Sequence, residues 1–169
     1  IPMISDTFFP MESMAYGGLG SGWGLGTYVY SDSELTRAGL NPQAMHESYQ
    51  VVSDRIGIAT DRDDLSTYIT GGLENIQPPL KMDNSAAKLL AAYTQKKREL
   101  NRRGIYMGNP SMALLSNALG NRQATKYQDM DFYSDRGEAA YRPWITVNKL
   151  KERPNFTYLG NLLALHFVE

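Results

Sequence analysis

Two histidines are the first candidates for a functional site, because a histidine side chain can bind a metal ion or a pigment. His46 and His166 are the only histidines in the chain and lie 120 positions apart, with no second ligand at a fixed spacing from either. A lone histidine is more often a surface or hydrogen-bonded side chain than a ligand. In a pigment-bearing complex, however, His46 and His166 would be the first candidate axial ligands. They are therefore predicted as speculative cofactor-binding residues, and no metal site is predicted.

Three aspartates and one serine are the other candidates for chemistry. Asp61, Asp63 and Asp64 resemble the start of a calcium-binding loop, but no glycine follows at the sixth position and no glutamate at the twelfth. The sequence therefore predicts a solvated turn. Gly20-Ser21-Gly22 is half of a Gly-x-Ser-x-Gly nucleophile turn, with no histidine tied to it by any signature. No catalytic residue is identified, and we expect the protein not to be an enzyme.

The composition excludes several further classes of site. The chain has 169 residues and no cysteine, which excludes disulfides, thiolate zinc sites, iron–sulfur clusters and thiol nucleophiles. No apolar run approaches 18 residues, so no transmembrane helix is predicted. The sequence begins at Ile1, which favours either a removed targeting segment or an internal start.

Charge is distributed unevenly along the chain. Residues 1–83 hold 11 acidic and 4 basic side chains, whereas residues 84–169 hold 7 acidic and 13 basic ones. We therefore divide the sequence into an acidic, glycine-rich part, 1–83, and a basic part, 84–169, which together are expected to form one structural unit. Such asymmetry suggests halves that pack on each other or that face differently charged partners.

The strongest predicted element is a helix over residues 83–104. Asp83 is a suitable N-cap, and Gly104 can take the positive φ that follows a helix end. Cations crowd its last turns, where they oppose the negative end of the helix dipole. Three of them, Arg98, Arg102 and Arg103, are predicted to bind a partner as well.

Several shorter elements are predicted from caps and periodicity. Ser31 and Glu34 form a capping box, and Asn41-Pro42 and Asn109-Pro110 each place a cap before a proline at the first helical position. The helices predicted in this way cover residues 31–39, 41–57 and 109–120, the second burying Met45, Tyr49, Val52 and Ile56. Strands are predicted at 27–30 and 144–150, and an apolar helical face at 155–169.

Apolar and aromatic residues outside these elements indicate contact surfaces. Residues 1–16 form an apolar arm that contains two prolines, Pro2 and Pro10. Residues 17–26 contain six glycines and one tryptophan, and their spacing does not match a phosphate-binding motif. Basic and aromatic residues alternate over 121–142, but nearby acids oppose nucleic-acid binding there. The apolar and aromatic residues predicted to bind partners are Phe8, Phe9, Trp23, Tyr133, Trp144, Phe156, Leu163 and Phe167.

These patterns favour a mainly α-helical, small and partly extended protein with long irregular loops and at most a little β structure. We expect a non-catalytic structural or linker subunit of a multiprotein complex. The preferred setting is a peripheral subunit of an organellar membrane complex of the photosystem or antenna type, in a chloroplast thylakoid and with possible pigment contacts. The alternatives are a minor structural protein of a virus particle, and a small enzyme or nucleic-acid-binding protein.

Overall fold

The computed structural model describes residues 7, 11, 13–126 and 137–162, which divide into two compact units. The first unit contains the described residues of Ile1–Trp23 and Arg142–Glu169, and the second is Gly24–Tyr141. The boundary between the acidic and basic parts of the sequence lies inside the second unit, at the N-cap of a helix. The α-helices are α1 (Asp32–Arg37), α2 (Pro42–Ile56), α3 (Ser66–Ile69), α4 (Asn84–Arg102) and α5 (Pro143–Lys151), and Gly18–Ser21 form a 3-10 helix.

The mainly helical fold predicted from the sequence is confirmed for the described residues. Within them the extended segments meet only at isolated β-bridges, and no strand or sheet is formed. The predicted strand at residues 27–30 is therefore wrong. Thr27 and Val29 donate their backbone N–H groups to Ser111 and Ile69, which belong to two different segments, so no continuous ladder develops. No helix among the described residues is both long and apolar enough to cross a membrane.

Helix α1 begins and ends as its sequence predicts. The Ser31 side chain accepts a hydrogen bond from the Glu34 N–H, and the Glu34 carboxylate accepts one from the Ser31 N–H, which completes the capping box. Hydrogen bonds to the Glu34 carboxylate from the Ser31 hydroxyl and then from the Ser31 N–H lower the pKa of Glu34. Gly39 follows the helix with a φ of 74°, and α1 then packs against α2.

Helix α2 also follows its predicted bounds, but one position of its predicted inner face is wrong. Its N-cap is Asn41, and Gly57 follows its last residue with a φ of 76°. Val52 is exposed, whereas Ser53 is buried in its place and donates its hydroxyl to the carbonyl of Gln50. The polar side chain satisfies its own hydrogen bond within the helix, which allows it to be buried.

The predicted helix at residues 109–120 is wrong, because residues 111–115 lie extended in the core of the second unit. Met112 exchanges both backbone hydrogen bonds with Ala59, while the Ala113 N–H bonds to Leu25 and the Leu115 N–H to Ala139. These donors therefore serve other segments instead of an i−4 carbonyl. A continuous apolar run is as typical of a buried extended segment as of a helix, and here the surrounding backbone decides between them.

The predicted strand at residues 144–150 is also wrong, since this stretch is most of α5. Pro143 occupies the first helical turn, where its fixed φ suits a helix and its missing N–H costs nothing. Lys149 and Lys151 lie in the last turn, where they oppose the helix dipole. The alternation of apolar and polar residues is also typical of a strand, because seven residues are too few to distinguish the two-residue period of a strand from the 3.6-residue period of a helix.

The glycine-rich loop packs against α5 inside the first unit. A side chain at Gly20 would collide with the ring of Pro143, and one at Gly17, whose φ is 94°, would crowd the backbone of Trp144. The glycines therefore allow a close approach between the 3-10 helix and α5. Residues 155–162 are not helical, so the predicted tail helix is wrong over this range; its remainder lies outside the described residues.

Candidate interaction surface

Helix α4 is held to the second unit by one polar cluster around Asp64. The Asp64 carboxylate lies 2.6 Å from Lys97 Nζ and 2.8 Å from the Tyr93 hydroxyl, and it accepts a 3.0 Å hydrogen bond from Asn101 Nδ2. Tyr93 is the one buried residue of this 19-residue helix. Since α4 packs on no other described helix, this cluster fixes its position.

The electrostatics of this cluster are those of a hydrogen-bonded ion pair. The hydrogen bonds from Asn101, Lys97 and Tyr93 lower the pKa of Asp64 to about 2, and that carboxylate in turn raises the pKa of Lys97. Burial and the hydrogen bond to Asp64 raise the pKa of Tyr93. All three groups therefore keep their charge states at neutral pH.

The neighbouring Asp63 connects the same turn to another segment. Its carboxylate accepts hydrogen bonds of 2.6 Å from the Asn109 N–H and 3.0 Å from the Leu65 N–H. Gly108 lies so close that a side chain there would collide with the carboxylate. The prediction of a solvated turn at Asp61, Asp63 and Asp64 is therefore wrong for the last two, which are half-buried acceptors. Within the described residues, no group of three or more histidines, cysteines or acids is placed to hold a metal ion.

This attachment leaves a basic face of α4 exposed on the side away from Tyr93. We define the basic stripe as the exposed residues at alternating spacings of three and four along this face: Lys88, Ala91, Gln95, Arg98 and Arg102. Its three cations form no ion pair with any described residue. Of the predicted partner-binding arginines, Arg98 and Arg102 thus belong to the stripe, whereas Arg103 pairs with Glu99 at 2.7 Å.

An exposed pair of tyrosines follows the C-terminal end of α4. The rings of Tyr68 and Tyr106 have centroids 5.1 Å apart, and their side chains are 57% and 40% exposed. Gly104 takes a φ of 76°, and the Ile105 N–H donates to the Leu100 carbonyl, which fixes the chain between α4 and Tyr106. Sequence reasoning missed this pair, because its members are 38 residues apart and only the fold brings them together.

His46 lies at a separate small cleft in the same unit. Its Nε2 atom lies 2.6 Å from the Asp32 carboxylate, and its ring meets Tyr49 edge to face with centroids 6.0 Å apart. The cleft has a volume of about 220 Å³ and is lined by Val29, His46, Gln50, Thr70, Gly72 and Leu73. Because the Asp32 carboxylate occupies Nε2, His46 could ligate the metal of a pigment only through Nδ1 in this arrangement.

Three of the predicted partner-binding residues are partly covered by other residues of the first unit. Trp23, Trp144 and Phe156 are each half-buried. Beside them, Lys151 Nζ lies 4.6 Å and 4.3 Å from the ring centroids of Tyr16 and Tyr158, and the Tyr16 hydroxyl donates to Asn148 at 2.8 Å. The remaining predicted site residues lie outside the described residues: Phe8, Phe9, Tyr133, Leu163, His166 and Phe167.

Comparison of the chain with protein-family models, with curated proteins and with solved structures found no match.

Proposed function

We propose that this protein is a non-catalytic structural subunit that stabilises a larger assembly by binding an acidic surface of a neighbouring protein through α4. The observation that carries the proposal is the basic stripe. Lys88, Arg98 and Arg102 lie on the exposed face of a helix that half-buried bonds hold to Asp64, and they form no ion pair with a described residue. An oriented row of cations attracts a complementary surface and sets its orientation.

The exposed tyrosines support the same proposal. Tyr68 and Tyr106 present two aromatic rings beyond the C-terminal end of α4, where Arg102 ends the basic stripe. Tyrosine and arginine are enriched among the residues that dominate binding energy at protein interfaces. A surface of this kind can combine electrostatic attraction with buried aromatic area.

For the setting, we propose a peripheral position in an organellar membrane complex of the photosystem or antenna type, with a virus particle as the alternative. The charge asymmetry and the apolar arm of the sequence support a subunit of an assembly, and both features fit either setting. Fractionation of the source material tests it: the chain should migrate with pigment–protein complexes of the organelle membrane. Recovery with purified virus particles would instead support the alternative.

The assembly proposal is tested by the native size of the chain in its source. A tagged copy should migrate within a complex far larger than one 18.9 kDa chain. The double variant Arg98→Glu/Arg102→Glu should migrate at the size of the free chain, because it reverses two charges of the basic stripe. The matched control is Lys149→Glu/Arg153→Glu, which makes the same charge change at exposed positions of the first unit and should remain in the complex.

Two results would contradict the proposal. One is a wild-type chain that migrates at its own mass in fresh extracts. The other is a complex that dissolves on nuclease treatment, since this would assign the basic stripe to nucleic acid, whose phosphates also bind rows of cations.

A further inference from the structure

A second exposed stripe, on α2, has the opposite charge to the basic stripe. We define the acidic stripe as the exposed residues spaced three, four and three apart on this helix: Ala44, Glu47, Val51 and Asp54. Val51 is 56% exposed between the two acids. Side chains at this spacing lie along one line of a helix surface and can meet a second helix lying across it.

The two acids of this stripe carry uncompensated charge. Glu47 accepts a hydrogen bond from the side-chain amide of Gln43, and Asp54 accepts from those of Gln50 and Asn75. All three donors are neutral, and neither carboxylate forms an ion pair with a described residue. These amide contacts orient the carboxylates but leave both negative charges available to a cationic partner.

The charges are closer together on the acidic stripe than on the basic stripe, and the length of the cationic side chains makes up the difference. Glu47 and Asp54 are seven residues apart, which is about 10 Å along a helix. On α4, Lys88 precedes the Arg98–Arg102 pair by ten to fourteen residues, or about 15–21 Å. Long cationic side chains reach several ångströms along the helix, so both acids can meet a cation whether the helices run parallel or antiparallel. In both helix orientations, Val51 lies near Ala91 and Gln95, the uncharged residues in the middle of the basic stripe.

Within one chain this pairing does not occur, because α2 and α4 do not pack against each other and both stripes are exposed. We infer that the basic stripe of one copy of this protein binds the acidic stripe of a second copy. This inference rests on the proposed function and names the acidic partner. Since the two stripes are different surfaces, the contact either closes symmetrically with two such pairings or continues from copy to copy.

A single helix-on-helix contact of this kind is small, so the association should be weak and sensitive to salt. Interfaces at the low end of the size range are typical of transient complexes. Exposed ion pairs are screened as the Debye length falls to about 3 Å at about 1 M salt. We therefore expect reversible self-association of the purified chain at low salt, which disappears at high salt.

Sedimentation velocity of the purified, nuclease-treated full chain tests the inference by charge exchange. Arg98→Glu/Arg102→Glu makes the basic stripe acidic, and Glu47→Lys/Asp54→Lys makes the acidic stripe basic. Each variant alone should sediment as a monomer, because its two stripes then carry like charges. An equimolar mixture should associate again, since each variant presents the stripe that the other needs. The control Lys149→Glu/Arg153→Glu should associate like the wild type.

Circular dichroism of both variants should match that of the wild type, since all four substituted side chains are exposed. Glu47→Lys/Asp54→Lys should melt slightly lower, because Asp54 loses its bonds to Gln50 and Asn75. The inference is overturned if the wild type stays monomeric at low salt up to near-millimolar concentration. It is also overturned if the mixture of the two folded variants fails to associate. Association that occurs only in a sample left without nuclease treatment would overturn it too, because nucleic acid would then be the bridging partner.

These results separate this inference from the proposed function. If the purified chain is monomeric but Arg98→Glu/Arg102→Glu is absent from the native complex that contains the wild type, the acidic partner is a different protein and the assembly role stands. If the purified chain associates but no native complex is found in extracts, the self-association stands and the assembly role fails.

Discussion

Lys97 Nζ and Asp64 Oδ1 lie 2.6 Å apart, and this ion pair joins the middle of a long exposed helix to a turn more than thirty residues earlier in the chain. Only 17% of the Asp64 side chain is exposed, whereas Lys97 is half exposed. Tyr93 and Asn101 complete the cluster, so the carboxylate faces three donors. An otherwise solvated helix thus gains a defined orientation, which the basic stripe requires.

The first prediction concerns the stability of the fold at acidic pH. The folded-state pKa of Asp64, about 2, lies below its ordinary value of 3.8, so folding favours the ionised carboxylate. The stability that this group contributes is therefore complete above pH 3.8 and is lost as the pH falls towards 2. Asp64→Asn should lower the melting temperature at pH 7, and its difference from the wild type should shrink as the pH falls through this window. Thermal melts at a series of pH values measure this.

The control for the acid prediction is Glu74→Gln, because Glu74 is exposed in the same unit and its carboxylate makes no bond to a described residue. Its melting temperature should follow that of the wild type at every pH. A difference between Asp64→Asn and the wild type that persists unchanged at pH 2 would contradict an ionised role for Asp64.

The second prediction concerns space beside Asp63. Gly108→Ala places a methyl group against the Asp63 carboxylate, which also accepts the Asn109 N–H. We expect destabilisation of about 1–3 kcal/mol, as for other overpacked sites. Gly72→Ala is the matched control, since nothing lies near a side chain at Gly72 and its φ is not positive. If both variants unfold at the same urea concentration, the close contact at Gly108 is absent in solution.

The third prediction concerns Arg122, which is 1% exposed and donates to the backbone carbonyls of Ile56, Glu138 and Ala139. Arg122→Met keeps most of the volume but removes all three donors. Each buried carbonyl left without its donor should cost about 1–3 kcal/mol, measured by urea unfolding. Lys126→Met, at an exposed position of the same loop, should stay within about 0.5 kcal/mol of the wild type.

Arg122 also shows where sequence reasoning fails. Basic and aromatic residues alternate over residues 121–142, yet Arg122 lies in the core, with its guanidinium 5.7 Å from the ring centroid of Tyr141. Burial of an arginine depends on carbonyls supplied by distant segments, here the end of α2 and residues 138–139. No local pattern contains that information.

The caps, by contrast, could be predicted because they are local. Ser31, Asn41 and Asp83 each bond to backbone N–H groups within three residues, so the helix starts follow from the sequence alone. Segments whose partners are remote could not be assigned in the same way, and both 111–115 and 144–150 were predicted in the wrong state. The basic stripe could be predicted only in part for the same reason. The sequence shows the cations of α4, but which of them face the solvent depends on the contact of the helix with Asp64.

The fourth prediction concerns the tyrosine pair. The hydrogen bond between Tyr68 and Tyr106, followed by burial, raises the pKa of Tyr68 above 10.0. Tyr106→Phe removes this bond, so the pKa of Tyr68 should fall towards its ordinary value. Titration of carbon-13-labelled tyrosine by NMR measures the change, and Tyr28→Phe at another exposed tyrosine should leave Tyr68 unaffected. An unchanged pKa of Tyr68 in Tyr106→Phe would contradict the contact.

The last prediction compares two adjacent cations that lie in different surroundings. Lys97 faces Asp64, whereas Arg98 belongs to the basic stripe and pairs with no described acid. Lys97→Glu places two like charges in contact, so it should lower the melting temperature and increase amide hydrogen exchange along α4. Arg98→Glu should leave both unchanged, because its side chain is exposed, and should instead weaken association with the partner.

Hydrogen exchange by mass spectrometry and sedimentation velocity separate the two effects, since the first reports the attachment of α4 and the second reports binding. The double variant Lys97→Glu/Asp64→Lys restores opposite charges and should recover part of the lost stability, which a merely poor substitution at position 97 would not allow. If Lys97→Glu and Arg98→Glu changed stability and association alike, α4 would not be oriented by the Asp64 cluster, and the division between its anchored and binding faces would be wrong.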